Sequence, residues 1–247
     1  MDPFLIASAF TAFFIASFLK GLTGIGFSTL CLGFLALMVD IRLAIPLVFL
    51  PSLSSNLMVM ADAGHFKESV KRFWPLFLSG IPGLFIGIWF LRTSHTELPR
   101  MVLGLVMALY GIWGLKKGEL RLGRNRERRS MVPIGFISGI VNGATGSQIM
   151  PIMPYLLALD MGRSMFVQTI NLSFTINTLL MITALGSFGF VTLPVVGISL
   201  AGILPVGLGI FLGSRLRRKV PEEIFRKLVF TLLIGLGSFL LIRPFFI

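Results

Sequence analysis

One lysine lies inside an otherwise apolar, glycine-broken stretch near the start of the chain. Lys20 follows a long and almost entirely apolar run, and Gly21, Gly24 and Gly26 come directly after it. A charged side chain at that depth in a membrane costs about 2.5–3.5 kcal/mol, so it should face a cavity or a counter-charge. No Asp or Glu occupies the middle of an apolar segment to pair with it. The pattern predicts that Lys20 binds a small anion; the alternative is a side chain that snorkels to water.

A second glycine-broken stretch, residues 139–151, follows the first at a spacing of about 122 positions. The matched positions are Gly21, Thr23 and Gly24 with Gly143, Thr145 and Gly146. Lipid tolerates broken backbone only where protein or a water-filled cavity shelters it. A duplicated pair of such breaks therefore points to a transport site. Small residues that pack helices together are the alternative, and packing is the preferred interpretation for Gly83, Gly87, Gly209 and Gly213.

New half-helices are expected to begin after the two breaks, at Phe27 and near Ile149. Their free N–H groups and positive dipole ends would then point at the break, which suits an oxyanion. Four side chains occupy positions where helix caps are expected. These are Ser28, Thr29, Ser147 and Gln148.

Polar side chains also occur on the apolar segment that follows each break. Ser52 and Asn56 are four residues apart, as are Ser173 and Asn177, so each pair occupies one helix face. Such side chains either line a site or bridge neighbouring helices, and the sequence supports both interpretations equally. The complete predicted substrate-binding set is Lys20, Gly21, Thr23, Gly24, Gly26, Ser28, Ser52, Asn56, Asn142, Gly143, Thr145, Gly146, Ser147, Gln148, Asn171, Ser173 and Asn177.

Catalytic chemistry finds little support in the sequence. The two histidines, His65 and His95, fall between apolar segments on opposite sides of the predicted topology. They are therefore too far apart to form a metal pair or to activate a buried serine. We expect no enzyme activity, no metal site and no cofactor.

The composition is that of an integral membrane protein. Of 247 residues, 55% are hydrophobic and only 13% are charged. The net charge is +12, but the basic residues cluster between apolar segments, so they indicate loop charges and not nucleic-acid binding. Cys31 is the only cysteine, which excludes an internal disulfide.

Hydropathy predicts an all-α polytopic fold. Residues 4–39 would measure about 54 Å as one helix against a hydrocarbon core of about 30 Å, so a single straight crossing is excluded. A connector with seven basic residues, 116–130, separates repeat 1 (1–115) from repeat 2 (131–247). The predicted hairpins are 4–39 and 132–159, and the predicted single spans are 43–61, 73–91, 101–115, 166–185, 193–212 and 224–242.

Loop charge predicts the orientation of the two repeats. The connector and residues 214–227 are strongly basic, so they are expected in the cytoplasm, whereas residues 186–192 carry no charge and are expected outside. Hairpin 132–159 then enters from the cytoplasm and returns to it, because span 166–185 also begins inside. The same argument makes hairpin 4–39 enter from outside. The repeats are therefore predicted to have inverted topology, the architecture that supports alternating access.

At these motifs the chain resembles the TauE/SafE family of sulfite and sulfonate exporters, also called the toluenesulfonate uptake permease group. The resemblance covers nearly the whole length. It depends on the ordered motifs KGLTGIG, AGHF (63–66), GIPGLFIG (80–87), NGATGSQ and GLGIFLG (207–213). It implies movement of small sulfur-containing oxyanions such as sulfite or organosulfonates.

The leading hypothesis is therefore a secondary transporter in the inner (plasma) membrane. Its substrate, a small sulfur-containing anion, would lie between the two hairpin tips. A passive anion channel and a non-transporting membrane scaffold are the alternatives. The expected partners are this anion and the lipid bilayer, with no nucleic acid, and either H⁺ or Na⁺ could serve as a coupling ion.

Overall fold

The computed structural model describes residues 3–23, 26–116, 121–217 and 222–246. These residues form α-helices, a 3₁₀ turn at Arg243–Phe245 and one isolated bridge between Leu122 and Leu159. The helices are α1 (Pro3–Thr23), α2 (Phe27–Ala36), α3 (Ile41–Ala63), α4 (Phe66–Thr93), α5 (Glu97–Leu115), α6 (Arg124–Thr145), α7 (Ile152–Leu157), α8 (Arg163–Ser187), α9 (Leu193–Ala201), α10 (Ile203–Arg217) and α11 (Glu222–Ile242).

Among the described residues, six stretches are long and apolar enough to cross a membrane. Their mean hydropathy lies between 1.4 and 2.3, and each overlaps one of the predicted single spans. They are Ile41–Ala61, Phe66–Thr93, Glu97–Leu115, Arg163–Ser187, Leu193–Leu216 and Lys227–Phe245. The prediction of an all-α polytopic membrane protein is confirmed.

The predicted span 193–212 is interrupted, which the sequence analysis missed. It consists of α9 and α10 with a turn at Gly202 between them. Pro205 has no N–H to donate to the carbonyl of Ala201, so one helical hydrogen bond is lost at this point. Gly202 also packs closely on α1, because a Cβ there would lie 2.5 Å from the ring of Phe13.

Two further helix pairs are separated by short non-helical segments. Helix α1 ends at Thr23 before α2 begins at Phe27, and α6 ends at Thr145 before α7 begins at Ile152. Gly26 and Gly146 have φ values of 93° and 72°, a left-handed conformation that glycine adopts without steric cost. We call α1–α2 and α6–α7 the first and second broken segments.

The arms of the broken segments differ in length. The second arms, α2 with ten residues and α7 with six, extend about 15 Å and 9 Å, far less than a hydrocarbon core of about 30 Å. The first arms, α1 and α6, have 21 and 22 residues. Because α6 begins at Arg124, residues 124–130 of the predicted connector are helical, and this arm is longer than the sequence suggested.

Helices of one half of the chain pack against helices of the other half, and equivalent helices do so in the same way. Helix α1 packs against α10 of the second half, and α6 packs against α4 of the first half. Helix α3 packs against α8, and α5 packs against α11. Each broken segment therefore lies against helices supplied by the other half.

Glycines allow these helices to touch at the backbone. A Cβ built on Gly139 would lie 2.1 Å from the carbonyl oxygen of Gly80, and one on Gly83 would lie 2.1 Å from that of Phe136. In the other half, a Cβ on Gly213 would lie 2.2 Å from the carbonyl oxygen of Phe18. Real Cβ atoms do not approach so closely. The packing interpretation of Gly83, Gly87, Gly209 and Gly213 is confirmed.

Polar contacts fix the far ends of the short arms. The Tyr155 hydroxyl of α7 donates to the carbonyl of Glu127 at 2.9 Å. Both carboxylate oxygens of Glu127 accept from the Arg72 guanidinium of α4, at 2.7 and 2.8 Å. Beyond α2, the carbonyl of Val39 accepts from Arg100 at 2.7 Å. These contacts fix α7 to α6 and α4, and the residues that follow α2 to α5. We call the ends of the broken segments that lie at the breaks their tips.

Candidate functional site

Lys20 lies in the last turn of α1 and points into the protein. The residue is only 5% exposed, and its Nζ donates to Ser55 Oγ at 2.7 Å and to Asn56 Oδ1 at 3.1 Å. An ammonium has three N–H groups, and two of those of Lys20 have acceptors among the described residues, so the third is available to a further acceptor. None of the ion pairs among the described residues includes Lys20. Neutral dipoles of α3 therefore hold this charge, and the side chain does not snorkel to the surface.

The serine that binds Lys20 was missed by the sequence analysis, which singled out Ser52 and Asn56. Ser55 lies beside Asn56 on α3 and also donates to the carbonyl of Ser52, at 3.1 Å. Ser52 instead faces the first broken segment, where its hydroxyl lies 2.7 Å from that of Ser28. The Ser52–Asn56 pair identified the right helix turn, but not which hydroxyl reaches the ammonium.

A cavity of about 20 Å³ lies beside Lys20, and we call it the Lys20 cavity. Residues of both halves line it. The lining residues are Lys20, Gly26, Phe27, Ser28, Thr29, Asn56, Gln148, Ile149, Ile170, Asn171 and Phe174. The structure thus brings together six of the predicted site residues: Lys20, Gly26, Ser28, Asn56, Gln148 and Asn171.

The tips of the two broken segments touch each other. Thr29 Oγ1 of α2 lies 2.9 Å from Ser147 Oγ, which follows the end of α6, and both residues are buried. Thr29 was predicted only as a cap, so this contact was not foreseen. Along the chain the two residues are 118 positions apart. The hydroxyl pair joins the tips of the two broken segments.

The predicted capping roles are wrong. Gly26 is the N-cap of α2 and makes no side-chain cap bond, while Ser28 and Thr29 already belong to the helix. Helix α7 begins at Ile152 with Pro151 as its N-cap, so Ser147 and Gln148 lie well before it. The first-turn N–H groups of α2 have no acceptors in a preceding helical turn, and the residues that carry them, Phe27, Ser28 and Thr29, line the Lys20 cavity. The positive end of α2 and the ammonium therefore favour the same sign of ligand.

A second cavity of about 30 Å³ adjoins the first and shares Ser28 and Gln148 with it. We call it the Asn142 cavity. Gln148 Nε2 donates to Thr178 Oγ1 there at 2.9 Å. Among the described residues, Asn142 Oδ1, Asn142 Nδ2 and Gln148 Oε1 have no hydrogen-bond partner. The lining residues are Ser28, Leu32, Ile45, Val48, Phe49, Ser52, Asn142, Gly146, Gln148, Thr178, Met181, Ile182 and Leu185.

Several predicted site residues line neither cavity. A Cβ on Gly21 would lie 2.6 Å from the carbonyl oxygen of Ile210, and one on Gly143 would lie 2.2 Å from that of Leu84, so both glycines face neighbouring helices. Thr145 Oγ1 donates to the carbonyl of Val141 and accepts from the N–H of Ser147.

The second Ser–Asn pair is also absent from the lining of both cavities. Asn177 Nδ2 donates to the carbonyl of Ser173 at 2.9 Å and to its hydroxyl at 3.4 Å. This pair therefore satisfies itself within α8. Gly24 and the side chain of Thr23 lie outside the described residues.

The comparisons with known proteins identify one family. No curated protein and no solved structure matches the chain. A family model described as sulfite exporter TauE/SafE matches residues 9–240, nearly the whole length. The chain therefore belongs to the TauE/SafE family of sulfite exporters and is a multi-pass membrane transport protein.

Proposed function

We propose that the chain is a secondary transporter of a small sulfur-containing oxyanion, such as sulfite or a sulfonate, which binds in the Lys20 cavity. The observation that supports this most strongly is the buried ammonium of Lys20, held by Ser55 and Asn56 and by no carboxylate among the described residues. An unpaired cation inside a membrane protein is expensive. An anionic substrate supplies the missing counter-charge.

The surrounding groups suit an oxyanion. The N-terminus of α2 adds N–H donors and a positive partial charge at the cavity. The amides of Gln148 and Asn171 also line the cavity. Each donates one N–H elsewhere, to Thr178 Oγ1 and to the Val167 carbonyl, and keeps a second N–H. Donors on several sides match an anion whose oxygens point in different directions, because each oxygen then meets its own partner.

The exchange of helices between halves supports an alternating-access mechanism. In this proposal the protein lies in the plasma membrane, and the broken segments are re-entrant hairpins of two inverted repeats, 1–115 and 131–247. The connector 116–130 and residues 214–227 lie in the cytoplasm. Substrate would lie between the two tips, and one half would rock against the other around it. The reciprocal packing of α1 on α10 and of α6 on α4 is what such a pair of repeats produces.

Flux into proteoliposomes tests this function. We expect labelled sulfite to exchange across the membrane with saturable kinetics, and sulfoacetate or taurine to compete if the site accepts organosulfonates. Chloride at equal ionic strength should not compete. Conductance that does not saturate would indicate a passive anion channel. An absence of both flux and sulfite-dependent thermal stabilisation would indicate a scaffold.

A cross-link between the tips should stop transport. The Lys20 cavity has room for about one water molecule, whereas sulfite has four heavy atoms, so binding requires the tips to separate. Thr29 and Ser147 are close enough for a disulfide when both are replaced by cysteine. We expect the Thr29→Cys/Ser147→Cys protein, in a Cys31→Ala background, to lose flux on oxidation and to regain it on reduction. Flux that persists in the oxidised protein would show that the tips do not separate.

A further inference from the structure

The Asn142 cavity contains buried polar atoms that have no hydrogen-bond partner among the described residues. The residue Asn142 is 1% exposed, and among the described residues neither its Oδ1 nor its Nδ2 has a partner. Gln148 is 8% exposed, and its Oε1 also lacks a partner. Buried polar atoms inside a membrane protein are satisfied almost without exception, because no water competes there. These side chains therefore point to a bound polar species.

The lining of the cavity defines the charge of that species. Every polar side chain in the lining is neutral, and each offers an oxygen: the hydroxyls of Ser28, Ser52 and Thr178 and the amides of Asn142 and Gln148. Asn142 and Gly146 also place the C-terminal end of α6 at the cavity. That end carries the negative part of the helix dipole, so it favours a cation. The Lys20 cavity has the opposite character.

The size and chemistry of the cavity narrow the choice of cation. A cavity with room for about two water molecules accepts a monatomic ion without rearrangement. No titratable side chain among the described residues lines it, so a proton has no carrier there. Among the described residues no cluster of His, Cys, Asp or Glu is suited to a transition metal. Neutral carbonyl and hydroxyl oxygens at a half-helix C-terminus are the ligands that bind Na⁺ in transporters.

We propose that the Asn142 cavity binds a sodium ion through neutral oxygens, and that this ion binds together with the anion in the Lys20 cavity. The coupling part of this inference rests on the proposed function. Ser28 and Gln148 line both cavities, so a ligand in one constrains the side chains that form the wall of the other. A cation beside the anion also offsets its charge within the low-dielectric interior.

Sodium alone, without substrate, tests the site. The full chain in detergent is titrated with sodium gluconate against choline gluconate at constant ionic strength, and the midpoint of thermal unfolding is followed. We expect a saturable rise with Na⁺. In Asn142→Leu the half-maximal concentration should increase about tenfold or more, the factor for losing a polar contact to a charged group. Ser138→Ala is the matched control, since Ser138 is a buried residue one turn earlier on α6 that lines neither cavity.

Asn142→Asp keeps the inference testable if the leucine variant does not fold. A carboxylate at this position should bring saturation to a lower Na⁺ concentration. Equal stabilisation by choline, or an unchanged Na⁺ response in both variants, would overturn the inference. Ordered water would then be the occupant of the cavity. Na⁺ stabilisation with no sulfite effect would refute only the proposed anion site. Sulfite binding with no Na⁺ response would refute only the sodium site.

Discussion

Lys20→Met is expected to lower the affinity for sulfite about a hundredfold, because a hydrogen bond to a charged group contributes about 1.5–3 kcal/mol and the counter-charge is lost as well. Methionine has a similar length and fills the same volume. Ser55 keeps its bond to the carbonyl of Ser52, so the fold of α3 should survive. The measurement is the sulfite-dependent shift of the thermal midpoint in detergent, paired with exchange flux in proteoliposomes.

A second lysine provides the control. Lys116 is exposed at the C-cap of α5, and Lys116→Met removes the same charge without touching either cavity. We expect its sulfite affinity to equal that of the parent protein. If Lys20→Met also binds sulfite with parental affinity, Lys20 is not part of the site. The Na⁺ response of Lys20→Met should be retained in either case, because Lys20 does not line the Asn142 cavity.

Gly139→Ala should be among the most destabilising single substitutions in the chain. The added Cβ would lie 2.1 Å from the carbonyl oxygen of Gly80 and 2.8 Å from the N–H nitrogen of Leu84. Both are backbone atoms of α4, so relief requires the two helices to move apart. Overpacking of this kind costs about 1–3 kcal/mol and sometimes more, and the gain in helix propensity from alanine is only about 1 kcal/mol. A lower thermal midpoint in detergent is the expected result.

The same substitution at two other glycines separates packing from propensity. A Cβ on Gly197 of α9 would meet nothing within 4 Å, so Gly197→Ala should leave the midpoint unchanged or raise it slightly. Gly213→Ala should be as harmful as Gly139→Ala, because its Cβ would lie 2.2 Å from the carbonyl oxygen of Phe18. Equal midpoints for Gly139→Ala and Gly197→Ala would contradict the close contact of α4 with α6.

Hydropathy and single special residues made much of the fold predictable. Apolar runs longer than a bilayer requires identified the six spans, since few other structures bury so much apolar surface. The starting point of α2 at Phe27 followed from the glycines before it. Lys20 could be placed in a polar cavity because a charge at that depth has few other stable environments.

Local sequence patterns did not predict two features of the fold, the helix over residues 124–130 and the break at Gly202. The arginines of residues 124–130 indicate exposure, which is compatible with a loop or with a helix, and arginine and glutamate favour helices. The break at Gly202 depends on the proline three positions later, inside a run that is apolar throughout.

The contacts of the site depended on distant partners and on an asymmetry between the halves. The pairing of Thr29 with Ser147 joins residues far apart in sequence, so no local pattern encodes it. By the spacing of the two glycine-broken stretches, Lys20 corresponds to Asn142. Because Asn142 is neutral, Asn177 has no cation to bind and turns back to Ser173, whereas Asn56 binds Lys20. Similar sequences therefore produced different environments.

The exchange of helices between halves also bears on the order in which the protein is made. Ser17 of α1 donates to the carbonyl of Phe14 at 2.9 Å and lies 3.4 Å from the carbonyl oxygen of Pro205 in α10, a residue synthesised 188 positions later. Helix α1 is consequently made long before α10, the helix that covers the face of α1 around Gly21. The packing of α1 can be completed only after α10 has been made, and a nascent chain that stops before α10 lacks the surface on which α1 packs.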